Sequence, residues 1–174
     1  MKRGEAPRSP PDFPVLPPWR TPGPFRLGVT SYVYPADILP NVMALAGAVQ
    51  DIELVFFESR EASNLPGPDI ITRLGELGRR HHLTYTVHFP SDRHVDSRAA
   101  AERTAALDQI RRIIRLTAEL DPFAYLLHLD SVAPTDSAEE VGRWQKRALP
   151  LLAEVAASVT APARVSIENL DYPF

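Results

Sequence analysis

The sequence lacks several features that define common protein classes, and cysteine is the first of them. No cysteine occurs among the 174 residues, which excludes disulfide bonds, thiolate metal sites and a cysteine nucleophile. No apolar run reaches the roughly 18 residues of a membrane span, and no uninterrupted apolar stretch follows Lys2 and Arg3 to form a secretory signal. We therefore expect neither membrane insertion nor export, and we expect a cytoplasmic location.

An excess of charge of either sign is also missing. The 19 Lys and Arg residues face 22 Asp and Glu residues, so the net charge is only -3. This balance does not favour a nucleic-acid partner, because binding to the phosphate backbone needs clustered cations. No GxGxxG or GxxxxGK[ST] motif follows a strand-like run, so neither a dinucleotide-binding fold nor a phosphate-loop NTPase is supported.

Proline, in contrast, is abundant and unevenly placed. Eight of the 18 prolines lie in residues 1–24. Because proline fixes φ and lacks a backbone N–H, this segment cannot join a regular helix or a central strand. We expect residues 1–24 to form an extended or disordered arm and residues 25–174 to form the folded domain.

Beyond this arm, short β-rich runs alternate with helical patterns. Apolar residues recur at helical spacing over 37–49, 69–80, 98–120 and 137–159. Asp37 and Ser137 are the expected N-caps, and Pro150 is expected to kink or split the last helix. The five predicted strands are Arg26–Val33, Ile52–Glu58, Leu83–Phe89, Ala124–Leu129 and Arg164–Glu168.

The predicted strands begin every 26 to 41 residues, which is the spacing of βαβ units with parallel strands. This pattern predicts an α/β fold of the (β/α) TIM-barrel type. A complete barrel has eight strands and typically about 250 residues, whereas 174 - 24 = 150 residues and five strands are present here. We expect a barrel that is C-terminally truncated to about five βα units, with self-association through its open sheet edges.

Candidate metal ligands stand at the ends of four successive predicted strands. The C-terminal ends of barrel strands carry the active site, and the residues there are Glu58, His88, His128 and Glu168. Histidine and carboxylate are ligands of divalent zinc, manganese or iron. A single histidine is more often a hydrogen-bonded core residue, but two histidines at equivalent ends of adjacent strands favour a metal site.

Other polar residues occur at the same predicted edge. Ser31 and Tyr32 follow the first strand, Asp92 the third, Asp130 the fourth and Asn169 the fifth. We expect these five residues to contact a small-molecule substrate. For the two aspartates, a role in orienting metal ligands and a role as loop caps are about equally supported.

Several motifs resemble those of a known superfamily. HFP at 88–90, HLD at 128–130 and IEN at 167–169 resemble the xylose isomerase-like barrels, which include sugar phosphate isomerases/epimerases and the apurinic endonucleases of AP endonuclease family 2. The resemblance covers residues 26–174. Four longer segments look like the cobamide-remodelling phosphodiesterase group: TSYVYPADILPNV (30–42), DIELVFFES (51–59), YTVHFPSD (85–92) and IENLDYPF (167–174).

The resemblance implies roles for particular residues. In the endonuclease branch, the positions of His88, His128 and Glu168 bind metal, and in the epimerase branch Glu168 both binds metal and acts as a base. The implied reaction is metal-dependent hydrolysis of a phosphodiester in the nucleotide loop of a cobamide, with a corrinoid as substrate. Glu168 is then the first catalytic carboxylate, and Glu58 is the second, completing or orienting the site.

Two alternatives stay open at this point. A metal-dependent sugar (phosphate) isomerase or epimerase of the same superfamily is one, and an inactive barrel fragment is the other. The resemblance places the remaining metal ligands on strands six to eight, which we expect to lie outside these 174 residues.

Overall fold

The computed structural model describes residues 13–14, 16–17, 24–58, 63–91, 94–129 and 137–168. Strands and helices alternate along these residues, with short 3-10 turns at Ala118–Leu120 and Pro162–Arg164. This order confirms the predicted α/β fold. The elements are β1 (Gly28–Thr30), α1 (Ile38–Leu45), β2 (Asp51–Val55), α2 (Pro68–His81), β3 (Thr84–His88), α3 (Ala100–Thr117), β4 (Ala124–His128), α4 (Ala138–Ala157) and β5 (Val165–Glu168).

The five strands form one parallel sheet in the order β1-β2-β3-β4-β5. Sequential parallel strands joined by helices are the winding of a TIM-type barrel. Among the described residues, β1 and β5 each pair with one neighbour. The expected self-association through these edges stays a prediction.

The two faces of the sheet differ in polarity because side chains alternate along a strand. On β2, Ile52 and Leu54 are fully buried, whereas Asp51, Glu53 and Val55 face the other side and are only partly buried. The buried face packs against apolar side chains of the helices, each contributing about 1.5–3 kcal/mol on burial. The apolar helical residues with no exposed surface are Val42, Leu74, Ala106, Ile113 and Val155.

The second strand is shorter than the sequence predicted. It ends at Val55 rather than at Glu58, although the Phe56 amide still donates to the His88 carbonyl at 3.2 Å. The next amide, that of Phe57, donates to the side-chain oxygen of Asn64 at 2.8 Å. A side chain therefore replaces the neighbouring strand as the acceptor, and the ladder stops.

The helices begin near their predicted caps, but the two caps differ. Ser137 Oγ accepts a hydrogen bond from the Glu140 amide at 3.4 Å, as the capping box predicts. Asp37 occupies the N-cap position of α1 without a side-chain capping hydrogen bond. Helix α4 continues through Pro150 as a single element, so the expected split does not occur.

Part of the predicted N-terminal arm contacts the domain. The ring of Phe13 stacks on Tyr34 with centroids 4.3 Å apart, and the Tyr34 hydroxyl donates to the Pro14 carbonyl at 3.5 Å. Leu16 packs against the hydrophobic core. The described part of this segment is therefore attached to the domain through these contacts, and the prediction of an extended or disordered arm for residues 1–24 stays a prediction.

None of the helices in the described ranges has the length and apolar character needed to cross a bilayer.

Candidate metal centre

Three predicted ligands converge at the C-terminal edge of the sheet. His88 Nε2 lies 3.0 Å from His128 Nε2, and His128 Nε2 lies 3.1 Å from Glu168 Oε2. The third side of this triangle, from His88 Nε2 to Glu168 Oε2, is 3.7 Å. A tetrahedral zinc ion with bonds of about 2.0–2.1 Å separates its ligand atoms by about 3.3 Å. The three atoms therefore have the spacing of ligands to one metal ion.

Strand register explains this convergence. In the pairing of β4 with β5, His128 lies opposite Glu168. In the pairing of β3 with β4, His88 lies opposite Leu126, two residues before His128 on the same face. Since alternate residues of a strand share a face, the three side chains point to the polar side of the sheet.

The His88 ring is oriented by the backbone. Its Nδ1 lies 2.7 Å from the Phe89 carbonyl oxygen. A carbonyl only accepts, so Nδ1 carries a proton, and in the neutral ring Nε2 is then the nitrogen with the free lone pair. Metal-binding histidines characteristically donate their second ring nitrogen in this way. The neighbouring His128 Nε2 can donate one proton at most, whereas a divalent ion would satisfy the lone pairs of all three groups.

Burial differs across the three groups. The side chains of His88 and His128 are 11% and 13% exposed, and that of Glu168 is 48% exposed. His128 Nδ1 is buried and, among the described residues, has no hydrogen-bond partner. The imidazoles thus form the floor of the cluster and the carboxylate lies at its open side, where a ligand can approach.

Glu53 is a further carboxylate near this cluster, and the sequence analysis missed it. It lies on the same face of the sheet, and its register partner Thr86 is two residues before His88. Burial raises the pKa of Glu53; His88 acts to lower it and Glu168 to raise it. The sequence did contain a signal for Glu53. In Ile52-Glu53-Leu54 the carboxylate lies between two apolar residues, so strand alternation places it on the face that points away from the core.

Glu58 does not join the cluster. Val55, and not Glu58, pairs with His88. Glu58 accepts hydrogen bonds from Arg112 at 3.0 Å and Gln109 at 3.2 Å, both on α3. The prediction that Glu58 and His88 occupy matching positions at the ends of their strands is wrong. Strand β2 ends at Val55, three residues before Glu58, and Val55 is the residue that pairs with His88.

The predicted substrate-binding residues have different surroundings. Ser31 is buried, and its hydroxyl accepts from the Val55 amide at 3.1 Å, which ties β1 to β2. Tyr32 is exposed at the rim, and its hydroxyl accepts from Asn64 Nδ2. Asp92, Asp130 and Asn169 lie outside the described residues.

Comparison with known proteins gives no sequence relative. No family model matches the chain, and no curated protein matches it.

Similar folds occur among solved structures. A D-tagatose 3-epimerase-like protein is 22% identical, with a TM-score of 0.66 over 84% of this chain and 53% of its own. A D-psicose 3-epimerase in the presence of D-fructose is 17% identical, with a TM-score of 0.52 over 82% and 62%. SacUVDE is 12% identical, with a TM-score of 0.51 over 76% and 49%.

These similarities concern architecture. The chain spans about half the length of the epimerase-like protein and of SacUVDE, and less than two thirds of the D-psicose 3-epimerase. At identities of 12–22% they establish the fold and leave the reaction open. The described residues adopt the parallel βα winding that these TIM-barrel structures share.

Proposed function

We propose that this protein is a metal-dependent phosphodiesterase that cleaves the nucleotide loop of a cobamide. The observation that carries the proposal is the triangle of His88 Nε2, His128 Nε2 and Glu168 Oε2. Two imidazole nitrogens and one carboxylate oxygen suit divalent zinc, manganese or iron. The resemblance implies that all three positions bind metal in the endonuclease branch, but it implies only Glu168 in the epimerase branch. The approach of both histidines therefore favours phosphodiester chemistry.

The side chains have distinct tasks in this proposal. When bound, a divalent ion supplies Lewis-acid chemistry for a phosphoryl oxygen and for water. His88 and His128 bind as neutral imidazoles, and the Phe89 carbonyl keeps the His88 lone pair directed at the site. The half-exposed carboxylate of Glu168 accepts a proton from the attacking water. The water oxygen bonds to phosphorus and the P–O bond to the nucleoside breaks. The nucleoside leaves as an alcohol after taking up the proton from Glu168, and cobinamide phosphate is the corrinoid product.

A sugar isomerase or epimerase is the second candidate, supported by the fold shared with the D-tagatose 3-epimerase-like protein. In that reaction Glu168 removes a proton from the carbon next to the sugar carbonyl. The reaction also needs a second carboxylate opposite Glu168, on a later strand of the barrel.

One experiment separates the two candidates. The full-length protein is loaded with zinc, manganese or ferrous iron and incubated in parallel with a cobamide and with D-fructose. Products are resolved by liquid chromatography and mass spectrometry. We expect cobinamide phosphate and unchanged sugar. Glu168→Gln should abolish turnover, whereas Glu58→Gln should retain it, because Glu58 binds Arg112 and Gln109 outside the cluster.

The opposite pattern, with an intact cobamide and an epimerised sugar, would replace the first proposal by the second. A protein that binds metal but converts neither substrate would contradict both.

A further inference from the structure

Two exposed aromatic rings lie beyond the C-terminal ends of β1 and β2. Tyr32 and Phe57 are 38% and 42% exposed, and their rings are 6.1 Å apart with planes tilted by 40°. The core pair Phe89 and Tyr125 has ring planes only 13° apart, and both residues are buried. The two exposed rings are therefore not stacked as a core pair is, and each keeps ring surface open to solvent.

Asn64 holds both ring-bearing segments in place. Its Nδ2 donates to the Tyr32 hydroxyl and, at 2.9 Å, to the Val55 carbonyl. Its Oδ1 accepts from the Phe57 amide at 2.8 Å, and its own amide donates to the Phe57 carbonyl at 3.2 Å. Rings that are fixed before binding lose less conformational entropy when a ligand stacks on them.

The aromatic pair is close to the metal centre. Phe57 follows Val55 by two residues, and Val55 pairs with His88. Because two residues span at most about 7 Å and paired strands are about 4.8 Å apart, the Cα atoms of Phe57 and His88 are no more than about 12 Å apart. Val55 lies on the same face of β2 as Glu53, which is the face of the cluster, and the Phe57 ring is exposed just beyond the end of this strand. The sugar of a nucleotide can bridge this separation.

We propose that Tyr32 and Phe57 form a stacking platform for the planar heterocyclic base of the substrate. This inference rests on the proposed function and names the part of the nucleotide that the rim recognises. Uncharged aromatic faces bind flat heterocycles with little dependence on their hydrogen-bonding edges. The platform therefore accepts different bases, while the histidines and Glu168 act on the phosphodiester.

The test compares two phosphate probes that differ by a planar base. Adenosine monophosphate and ribose 5-phosphate are titrated into the manganese-loaded, full-length protein by calorimetry. The first probe should bind about tenfold more tightly, as expected for one stacked base. The double variant Tyr32→Leu/Phe57→Leu should lose this preference and keep its affinity for ribose 5-phosphate.

Two control variants separate stacking from a structural effect. The double variant Tyr32→Phe/Phe57→Tyr keeps both rings and should keep the preference. Phe123→Leu removes a 61% exposed ring just before β4. This ring lies at the N-terminal ends of the strands, away from the metal centre, and its loss should also leave the preference unchanged.

Equal affinities of the two probes in the unmodified protein would overturn the proposal. An unchanged preference in the leucine variant would overturn it as well, and so would an equal loss of affinity for both probes. The assay requires no turnover, so its outcome is distinct from that of the phosphodiesterase assay. If the protein binds adenosine monophosphate more tightly but leaves cobamides intact, the stacking platform is supported and the proposed phosphodiesterase reaction is contradicted.

Discussion

Replacement of His128 by alanine should remove most of the stabilisation that metal gives this protein. His128 Nε2 is at the centre of the donor group, within 3.0 Å of His88 and 3.1 Å of Glu168. A ligand that binds only the folded state at a hundredfold excess over its dissociation constant stabilises that state by about 2.7 kcal/mol. For a domain of this size, about 1 kcal/mol raises the melting temperature by about 2–4 °C. Zinc should therefore raise the melting temperature by about 5–11 °C.

The expected loss in His128→Ala follows from the number of ligands. Zinc sites of about four ligands bind with about 12 kcal/mol, or about 3 kcal/mol for each ligand. Loss of one ligand should weaken binding by more than about a hundredfold. At the same zinc concentration, the remaining stabilisation is about 0.4 kcal/mol, which is a shift of about 1–2 °C.

Thermal melting with and without zinc measures both shifts. Glu58→Gln and His82→Gln are the matched controls, because they remove a carboxylate and an imidazole that lie outside the cluster. Both controls should keep the full shift. A His128→Ala variant that zinc stabilises as strongly as the unmodified protein would refute the assignment of His128 as a ligand.

Three further predictions concern stability. Leu54→Ala leaves a cavity at a fully buried position of β2 and should lower the free energy of unfolding by about 2–5 kcal/mol in urea titrations. Leu149→Ala, on the exposed surface of α4, should change it by less than about 0.5 kcal/mol. Similar losses in the two variants would contradict the described core. Ser137→Ala removes a capping acceptor and should cost about 0.5–1 kcal/mol in the same assay, while Asp37→Ala should be nearly neutral, because Asp37 makes no capping hydrogen bond; a larger loss at Asp37 would be inconsistent with this. Burial raises the pKa of Tyr85 above its unfolded value of about 10, so the folded state retains the phenolic proton more strongly and the free energy of unfolding should fall as pH rises beyond about 10. Tyr85→Phe should flatten this alkaline decline in urea midpoints, and an unchanged decline would assign it to other groups.

Much of the fold could be predicted because hydrophobic periodicity is a local property. Strands β3, β4 and β5 end at or within one residue of their predicted ends, and their last residues are His88, His128 and Glu168. Each of these strands is a short run rich in apolar, aromatic or β-branched residues that ends on a histidine or a glutamate, and such a run is visible without tertiary information. The parallel order of the sheet follows from the helical crossovers between strands.

The second strand shows where local patterns fail. Its apolar run continues through Phe56 and Phe57, so periodicity alone extends it to Glu58. The strand stops earlier because Asn64, seven residues further on, takes the Phe57 amide. A hydrogen bond from a later loop residue is invisible to a periodicity argument, and it changes which carboxylate of β2 is near the metal centre.

The sequence by itself determined the alternation of strands and helices, the absence of thiolate ligands, and the presence of histidine or carboxylate at three strand ends. Only the tertiary structure decided which of these side chains lie close enough together to bind one metal ion. Register pairs His88 with Val55 and His128 with Glu168, which assembles the donor triangle and leaves Glu58 with α3. The physical reason is that a strand's period sets which face a side chain occupies, whereas pairing between distant segments sets its height along that face.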